Sequence, residues 1–281
     1  MNFGTISPKL YIWKNSRLYI ATKQNTFRKY TLAWSQILVS IQGYIHLRMS
    51  DGSEVKTKSC LIKAGTVVNA DCVDTRFAVV AIYYINPISQ DYWVLESHML
   101  QASAGVSFNH PQENSLVSAI HSILTNSPSV STAFAAVREA LIPQTLKSLV
   151  IKEYDPRILA TLQSIKQNAS KKCSVKQYAD DVYLSESRLK KLFKEEIGIP
   201  LTKYRLQCRL SVGVTLLAAG YSVTDAAYHS GFSSTAHFST CFSDMIGVQP
   251  STPFLKPPFL TSFIDQDVLN ELVPNKVCQS G

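Results

Sequence analysis

Residues 174–200 read SVKQYADDVYLSESRLKKLFKEEIGIP, and residues 222–250 read SVTDAAYHSGFSSTAHFSTCFSDMIGVQP. The two stretches are copies of one unit. Ser174-Val175 matches Ser222-Val223, and Ala179 matches Ala227, at an offset of 48. Past the turn, Leu189 matches Phe238, Phe193 matches Phe242 and Gly198 matches Gly247 at an offset of 49. One extra residue in the second turn accounts for the change. Each copy opens on a capping-box-like pattern, Ser174-x-x-Gln177 or Ser222-x-x-Asp225. A short helix follows, with Ala179 or Ala227 small where a neighbouring helix comes close. After a turn of about three or four residues, which holds Gly231 in the second copy, another helix starts at Ser185, or at Ser233 or Ser234. Leu189, Leu192 and Phe193 in one copy, and Phe238 and Phe242 in the other, form its buried stripe. The opposite face is left free. This is helix-turn-helix geometry, in which the second helix can enter a major groove.

Between the copies, Leu201 to Ala219 carries a continuous helical pattern that ends at Gly220, a good C-cap. A helix of nearly twenty residues spans roughly 28 Å. It holds the two free faces apart at a distance close to one turn of DNA, ~34 Å.

These residues together resemble the AraC/XylS transcription regulators. The resemblance rests on Ala179, Leu184-Ser185, Leu189, Leu192-Phe193-Lys194, Gly198 and Pro200, then on Arg209-Leu210 and Leu216-Leu217 in the linking helix. It continues with Ala227-x-x-x-Gly231-Phe232, Phe238, Phe242, Gly247 and Pro250, and covers roughly residues 157–255. It implies a bacterial, cytoplasmic, sequence-specific DNA-binding regulator, more often an activator, with promoter DNA and RNA polymerase as partners. Carried over residue by residue, the base-facing positions are Ser187, Arg188, Lys190 and Lys191 in the first reader. In the second they are Thr235, Ala236, His237, Ser239 and Thr240. Lysine donates to guanine O6 and N7 or neutralises a phosphate. Phosphate contacts are expected from Lys171, Lys172, Lys176, Lys194, Lys203 and Arg205. Arg209 reads as structural, bonded to a carbonyl or an acid. The second copy departs from the family, whose members often carry a basic residue where Thr240 stands and Lys where Ser243 stands. The first reader is therefore expected to supply most of the affinity.

Charge follows the same asymmetry. The chain has 281 residues and a net charge of +8. Residues 171–210 hold ten Lys/Arg against five Asp/Glu, whereas residues 211–255 hold no Lys or Arg and two Asp. The basic balance favours a polyanionic partner.

The first hundred residues read as strands. Ile37, Val39, Ile41, Gly43, Ile45, Leu47 and Met49 share one parity, and Ser40, Gln42, His46 and Arg48 share the other. One strand with one apolar face is expected. Asp51-Gly52 then turns the chain into a return strand from Val55 to Ile62, and Ala64-Gly65 marks a further turn. Phe77 to Ile85 is a nine-residue apolar run, read as a strand covered on both faces and too short to cross a membrane. From about 113 the period changes to helical, with Leu116, Val117, Ile120, Ile123 and Leu124, then Phe134, Val137, Leu141 and Ile142 before Pro143. Pro156 opens a further helix through Ile158, Leu162 and Ile165.

The fold expected is a multidomain α+β chain. A cupin-like β-barrel arm occupies 1–105, and a helical connector with a dimerising or barrel-covering role occupies 106–156. An all-α double helix-turn-helix domain spans 157–255, and a tail, partly ordered at best, spans 256–281. The arm reads as a plain barrel core or as a pocket for a small apolar or amphipathic effector, with a Lys or Arg at its rim for a carboxylate. A partner protein binding the arm is the alternative control. A cupin-type metal enzyme is disfavoured because the arm holds only His46 and His98, with no H-x-H pair. No Ser stands in a G-x-S-x-G turn and the six cysteines show no metal or redox spacing, so neither catalysis nor a cofactor is expected.

Overall fold

The structure, a computed structural model, describes residues 7–22, 29–31, 33–49, 51–69, 71–103, 105–142, 152–246, 249–252 and 258–272. The arm contains β1 (Lys9–Ile12), β2 (Ser16–Ile20), β3 (Tyr30–Thr31), β4 (Ser35–Gly43), β5 (Ile45–Arg48) and β6 (Glu54–Thr57). It continues with β7 (Ser59–Ile62), β8 (Val67–Val68), β9 (Val73–Asp74), β10 (Ala78–Ile85), α1 (Gln90–His98), β11 (Gln101–Ser103) and β12 (Val106–Phe108). Next come α2 (Glu113–Asn126) and α3 (Val130–Leu141), then α4 (Pro156–Gln167), α5 (Val175–Asp180), α6 (Glu186–Ile197) and α7 (Leu201–Ala218). The chain ends its described course with α8 (Val223–His229), α9 (Thr235–Ile246), β13 (Thr261–Ile264) and α10 (Gln266–Leu272). The sheet-rich arm and the all-helical domain follow in the order expected.

Eight strands form the main sheet, in the order β11-β12-β7-β4-β10-β2-β1-β13. β6-β5-β9 and β3-β8 form two small sheets. β12, just past residue 105, belongs to the main sheet, so the arm and the following helices are one packed body. One face of the sheet, with Leu18, Ile37, Val39, Ala81 and Tyr83, packs against Leu116, Ile120, Ile123, Leu124, Ala133, Val137 and Leu141 of α2 and α3. The stripes that raised a dimerising role thus cover the sheet. The other face packs Leu38, Val80 and Ile82 against Ile45, Leu47, Val73 and Phe108. These side chains form one buried cluster. β10 is buried on both faces, as its apolar run predicts.

Two strand expectations are corrected. The alternation over 37–49 predicts one strand, but the chain breaks after Gly43, whose φ is +79°. A Cβ there would lie 2.0 Å from the Phe77 carbonyl oxygen. Ser40 Oγ donates to the carbonyls of Gln42 and Gly43, both at 3.0 Å. Across the break the faces exchange: Ile37 and Val39 lie toward α2 and α3, while Ile45 and Leu47 lie with Leu38 on the opposite side. A kink resets the parity of side chains, which counting residues cannot show. The return strand over Val55–Ile62 is likewise two strands. β6 pairs with β5 in a small sheet, and β7 pairs with β4 in the main one. Within the tail, residues 261–264 pair with β1 as a parallel edge strand.

The helical domain and the arm are in contact. Ala33 and Ala64 of the arm join the helical core, and Gly65 (φ +85°) stands so close to Ile199 that a Cβ would lie 2.8 Å from its Cγ2. Lys166 Nζ donates to Asn15 Oδ1 at 3.0 Å. A small cleft of about 90 Å³ lies between Trp93, Lys152, Tyr154 and the end of α6. Lys152 spans it, 4.3 Å above the Trp93 ring and 3.4 Å from the Glu196 carbonyl.

Candidate nucleic-acid interface

The two repeats fold as two helix-turn-helix units. In the first, Gln177 N–H donates to Ser174 Oγ at 3.1 Å and Ser174 N–H donates to Gln177 Oε1 at 2.6 Å, a complete capping box. Ser185 then caps α6 by accepting from Arg188 N–H at 3.3 Å. Gly198 (φ +83°) ends it in the left-handed conformation. In the second unit Ser222 accepts from Asp225 N–H at 3.0 Å. Of the two serines considered for the next cap, Ser234 takes the role, accepting from His237 N–H at 3.2 Å. Gly247 lies outside the described residues.

The second helices of the two units, α6 and α9, bury equivalent stripes. Leu189, Leu192, Phe193 and Ile197 are buried on α6, and Phe238, Phe242 and Met245 on α9. α7 joins the units through a run of 18 residues, close to 27 Å at the usual helical rise. It approaches α9 closely because residue 213 is glycine. A Cβ on Gly213 would lie 2.6 Å from Phe238 Cε2 and 3.1 Å from Ser230 Oγ. Arg209, read from sequence as structural, donates to the carbonyls of Ala169 and Lys171, both at 3.1 Å, and so ties α7 to the α4–α5 turn.

On α6, Ser187, Arg188, Lys190, Lys191 and Lys194 are all exposed and share the face opposite the buried stripe. Lys190 pairs with Glu186 at 3.3 Å and Lys191 reaches Glu195 at 3.9 Å. Both pairs are exposed i,i+4 contacts that a phosphate or a guanine edge can replace at small cost. On α9 the expected residues divide. Ala236, His237 and Thr240 are exposed, whereas Thr235 and Ser239 are half-buried at the flank. The Thr240 hydroxyl donates to its own helix, to Ala236 O at 3.1 Å, and the His237 ring stands edge-on to Phe232. Asp244, which the sequence reading passed over, is also exposed on this side. α9 therefore offers a neutral-to-acidic face where α6 offers a basic one.

Of the residues expected at phosphates, Lys171, Lys172, Lys176, Lys194 and Lys203 are exposed. Arg205 is half-buried with its guanidinium 5.7 Å over the Tyr178 ring, and is the least available of the six. Sequence reasoning also missed Tyr183. It holds φ +56° in the turn before α6, with its side chain 96% exposed. The repeat offset places it opposite Gly231, which has φ +76°. The glycine in one copy was the available signal.

Comparison with known proteins agrees with this geometry. Residues 178–254 match the family model described as a helix-turn-helix domain. Eighty-eight residues are 33% identical to a probable transcriptional regulator, LumQ, of Photobacterium leiognathi, covering 31% of this chain and 36% of that protein. The match thus spans about a third of the relative's length. Among solved structures, ToxT from Vibrio cholerae O395 superposes with a TM-score of 0.55 at 16% identity, over 85% of this chain and 96% of that one. Wild-type ToxT from strain SCE256 with an unsaturated fatty acid bound gives 0.51 at 18%, over 87% and 97%. At that identity the likeness is one of fold, and it extends across both the arm and the helical domain. Residues 178–254 thus form a helix-turn-helix domain, and the repeated unit with its linking helix is similar to the DNA-binding part of AraC/XylS transcription regulators.

Proposed function

We propose that the protein controls transcription by reading two successive major grooves of promoter DNA with α6 and α9, α6 supplying most of the affinity. The observation that carries this reading is the exposed basic face of α6, set on a capped and buried scaffold that is repeated one α7 length away. Base contacts fall to Ser187, Arg188, Lys190 and Lys191, and more weakly to Ala236, His237 and Thr240, with Thr235 and Ser239 at the flank. Lys171, Lys172, Lys176, Lys194 and Lys203 hold the backbone, and activation through RNA polymerase follows from the family resemblance alone. The test is selection from a random DNA pool with the full chain at physiological salt. Two preferred blocks about one turn apart (~34 Å) support the reading. One block assigns α9 to a scaffold, and no preferred sequence overturns it.

A second reading concerns control, and Arg17 on β2 favours it. Its guanidinium is buried between arm and helical domain, with Nη2 donating to Ser211 O at 2.7 Å and to Thr215 Oγ1 at 3.2 Å on α7. It lies 5.6 Å over the Trp34 ring, Nε has no partner, and no carboxylate pairs with it among the described residues. Burial lowers its pKa to about 10. A buried cation without an anion is costly and marks a place an acid can occupy. ToxT has been solved with an unsaturated fatty acid and with a naphthalenyl butenoic acid. An amphipathic acid bound at Arg17 of this chain competes with α7 for the guanidinium, and so acts on the helix that spaces the readers. Long-chain carboxylates should raise the melting temperature where the matched alcohols do not, and Arg17→Met should remove the difference. Equal shifts with acid and alcohol exclude Arg17 as the anchor. Control by a partner protein is the alternative if neither class shifts it. The apolar stripes of α2 and α3 are spent on the sheet, so a homodimer has to use other faces.

A further inference from the structure

After the second reader the chain does not trail away. It returns to the first strand of the arm. β13 pairs in parallel with β1 over its whole length, Lys9 to Thr261 through Ile12 to Ile264. Thr261 N–H donates to Pro8 O and Asp265 N–H to Ile12 O, both at 3.0 Å. Phe263 stacks on Tyr11 with ring centroids 4.4 Å apart, and Lys14 pairs with Glu271. The same segment holds the far end of α7. Leu260 is buried with Leu10, Ile12 and Ala218, and Ser262 Oγ donates to the Ala218 carbonyl at 2.7 Å. That carbonyl is among the last of α7, which the helix itself cannot satisfy.

The second helix-turn-helix unit therefore leaves the arm at Ala218 and comes back to it at Leu260, so both of its ends are fixed to β1. α9 also lies against β3 of the arm. The first unit has no such return. We infer that residues 258–272 are a strap that holds the second reader in fixed relation to the arm, and that opening the strap frees the second reader alone.

The strap is built to open. No residue of α10 is buried, no residue of β13 is fully buried, and the Lys14–Glu271 pair is exposed on both sides. Four ladder residues with little apolar burial lie at the low end of local stability. β1 is held independently on its inner side by β2, and its Tyr11 and Trp13 neighbours bond the carbonyls of Pro128 and Val130. The arm thus keeps its fold when the strap leaves, and β1 then presents an unpaired edge.

The test is hydrogen exchange on the full chain, on Thr261→Pro and on a chain ending at residue 257. Thr261 is exposed, and the proline removes one ladder donor without opening the core. In both variants, amides of 223–246 should exchange at least ten-fold faster, with those of 174–197 unchanged. The full chain should select DNA blocks at one spacing, and the variants should accept several spacings or only the first block. Unchanged exchange over 223–246 in both variants overturns the strap. Equal loss of protection in both units also overturns it, because the segment is then ordinary core. If no chain selects DNA, the reading of DNA fails, while the exchange data still decide the strap.

Discussion

Tyr183 and Gly231 occupy one position of the repeat and share a left-handed backbone, yet only one of them is glycine. A bulky side chain in that region costs about 1–2 kcal/mol. Tyr183→Gly is therefore expected to raise stability in thermal unfolding, by up to about 1 kcal/mol once the added freedom of the unfolded glycine is set against it. A fall in DNA affinity in the same variant would show what the exposed ring is kept for. Gly213 presents the opposite case. Its helix would gain about 1 kcal/mol from alanine, but the new methyl group meets Phe238, which is fully buried and cannot yield. Overpacking of this kind costs about 1–3 kcal/mol, so Gly213→Ala should lower the melting temperature. His110 carries a pH dependence. It is buried, with Nε2 3.0 Å from Leu141 O and Nδ1 accepting from Gln112 N–H at 3.1 Å, so the neutral ring donates once and accepts once. Burial lowers its pKa below the usual 6.5. The unfolded chain then takes up the proton first, and stability present above pH 6.5 is lost as pH falls through the lowered folded value. Melting curves between about pH 7.5 and 5 should show this fall, and His110→Gln should flatten it.

The readers differ as elements more than their shared stripe suggests. α6 presents Arg188, Lys190, Lys191 and Lys194, and α9 presents His237, Thr240 and Asp244. A well-placed basic contact to a guanine edge is worth about 1–3 kcal/mol. Lys191→Ala is thus expected to weaken DNA binding by roughly that amount. Thr240→Ala should change it little, because the Thr240 hydroxyl already bonds within its helix. Equal losses in a titration at fixed salt would sink this ranking. The stripes, caps and turns of both units were legible in the sequence because they are local: a serine three residues ahead of its partner, a leucine or phenylalanine every turn. Asp244 was just as visible in the letters but lies outside the family pattern, and only the exposed face of α9 gives it meaning.

At the scale of the molecule, the proposed hold on the DNA backbone has five exposed lysines once Arg205 is set aside on Tyr178. Five neutralised phosphates imply a slope of about −4 to −5 in log K against log salt. A flat dependence would argue against the groove-reading mechanism altogether. The order of arm, covering helices and repeated unit could be read from hydrophobic period alone, since period two and period 3.6 are properties of consecutive residues. So could the two helix-turn-helix units, their linking helix and their unequal charge. The tertiary structure alone decided where β4 ends and the parity of its faces resets, because the Gly43 kink answers to the Phe77 carbonyl in the turn before β10. It alone placed Arg17 against α7 and brought β13 back to β1, partners separated by 194 and about 250 residues. Contacts at that separation leave no period in the chain. They arise when two folded surfaces meet, and burial and unpaired hydrogen bonds then fix which residues face each other.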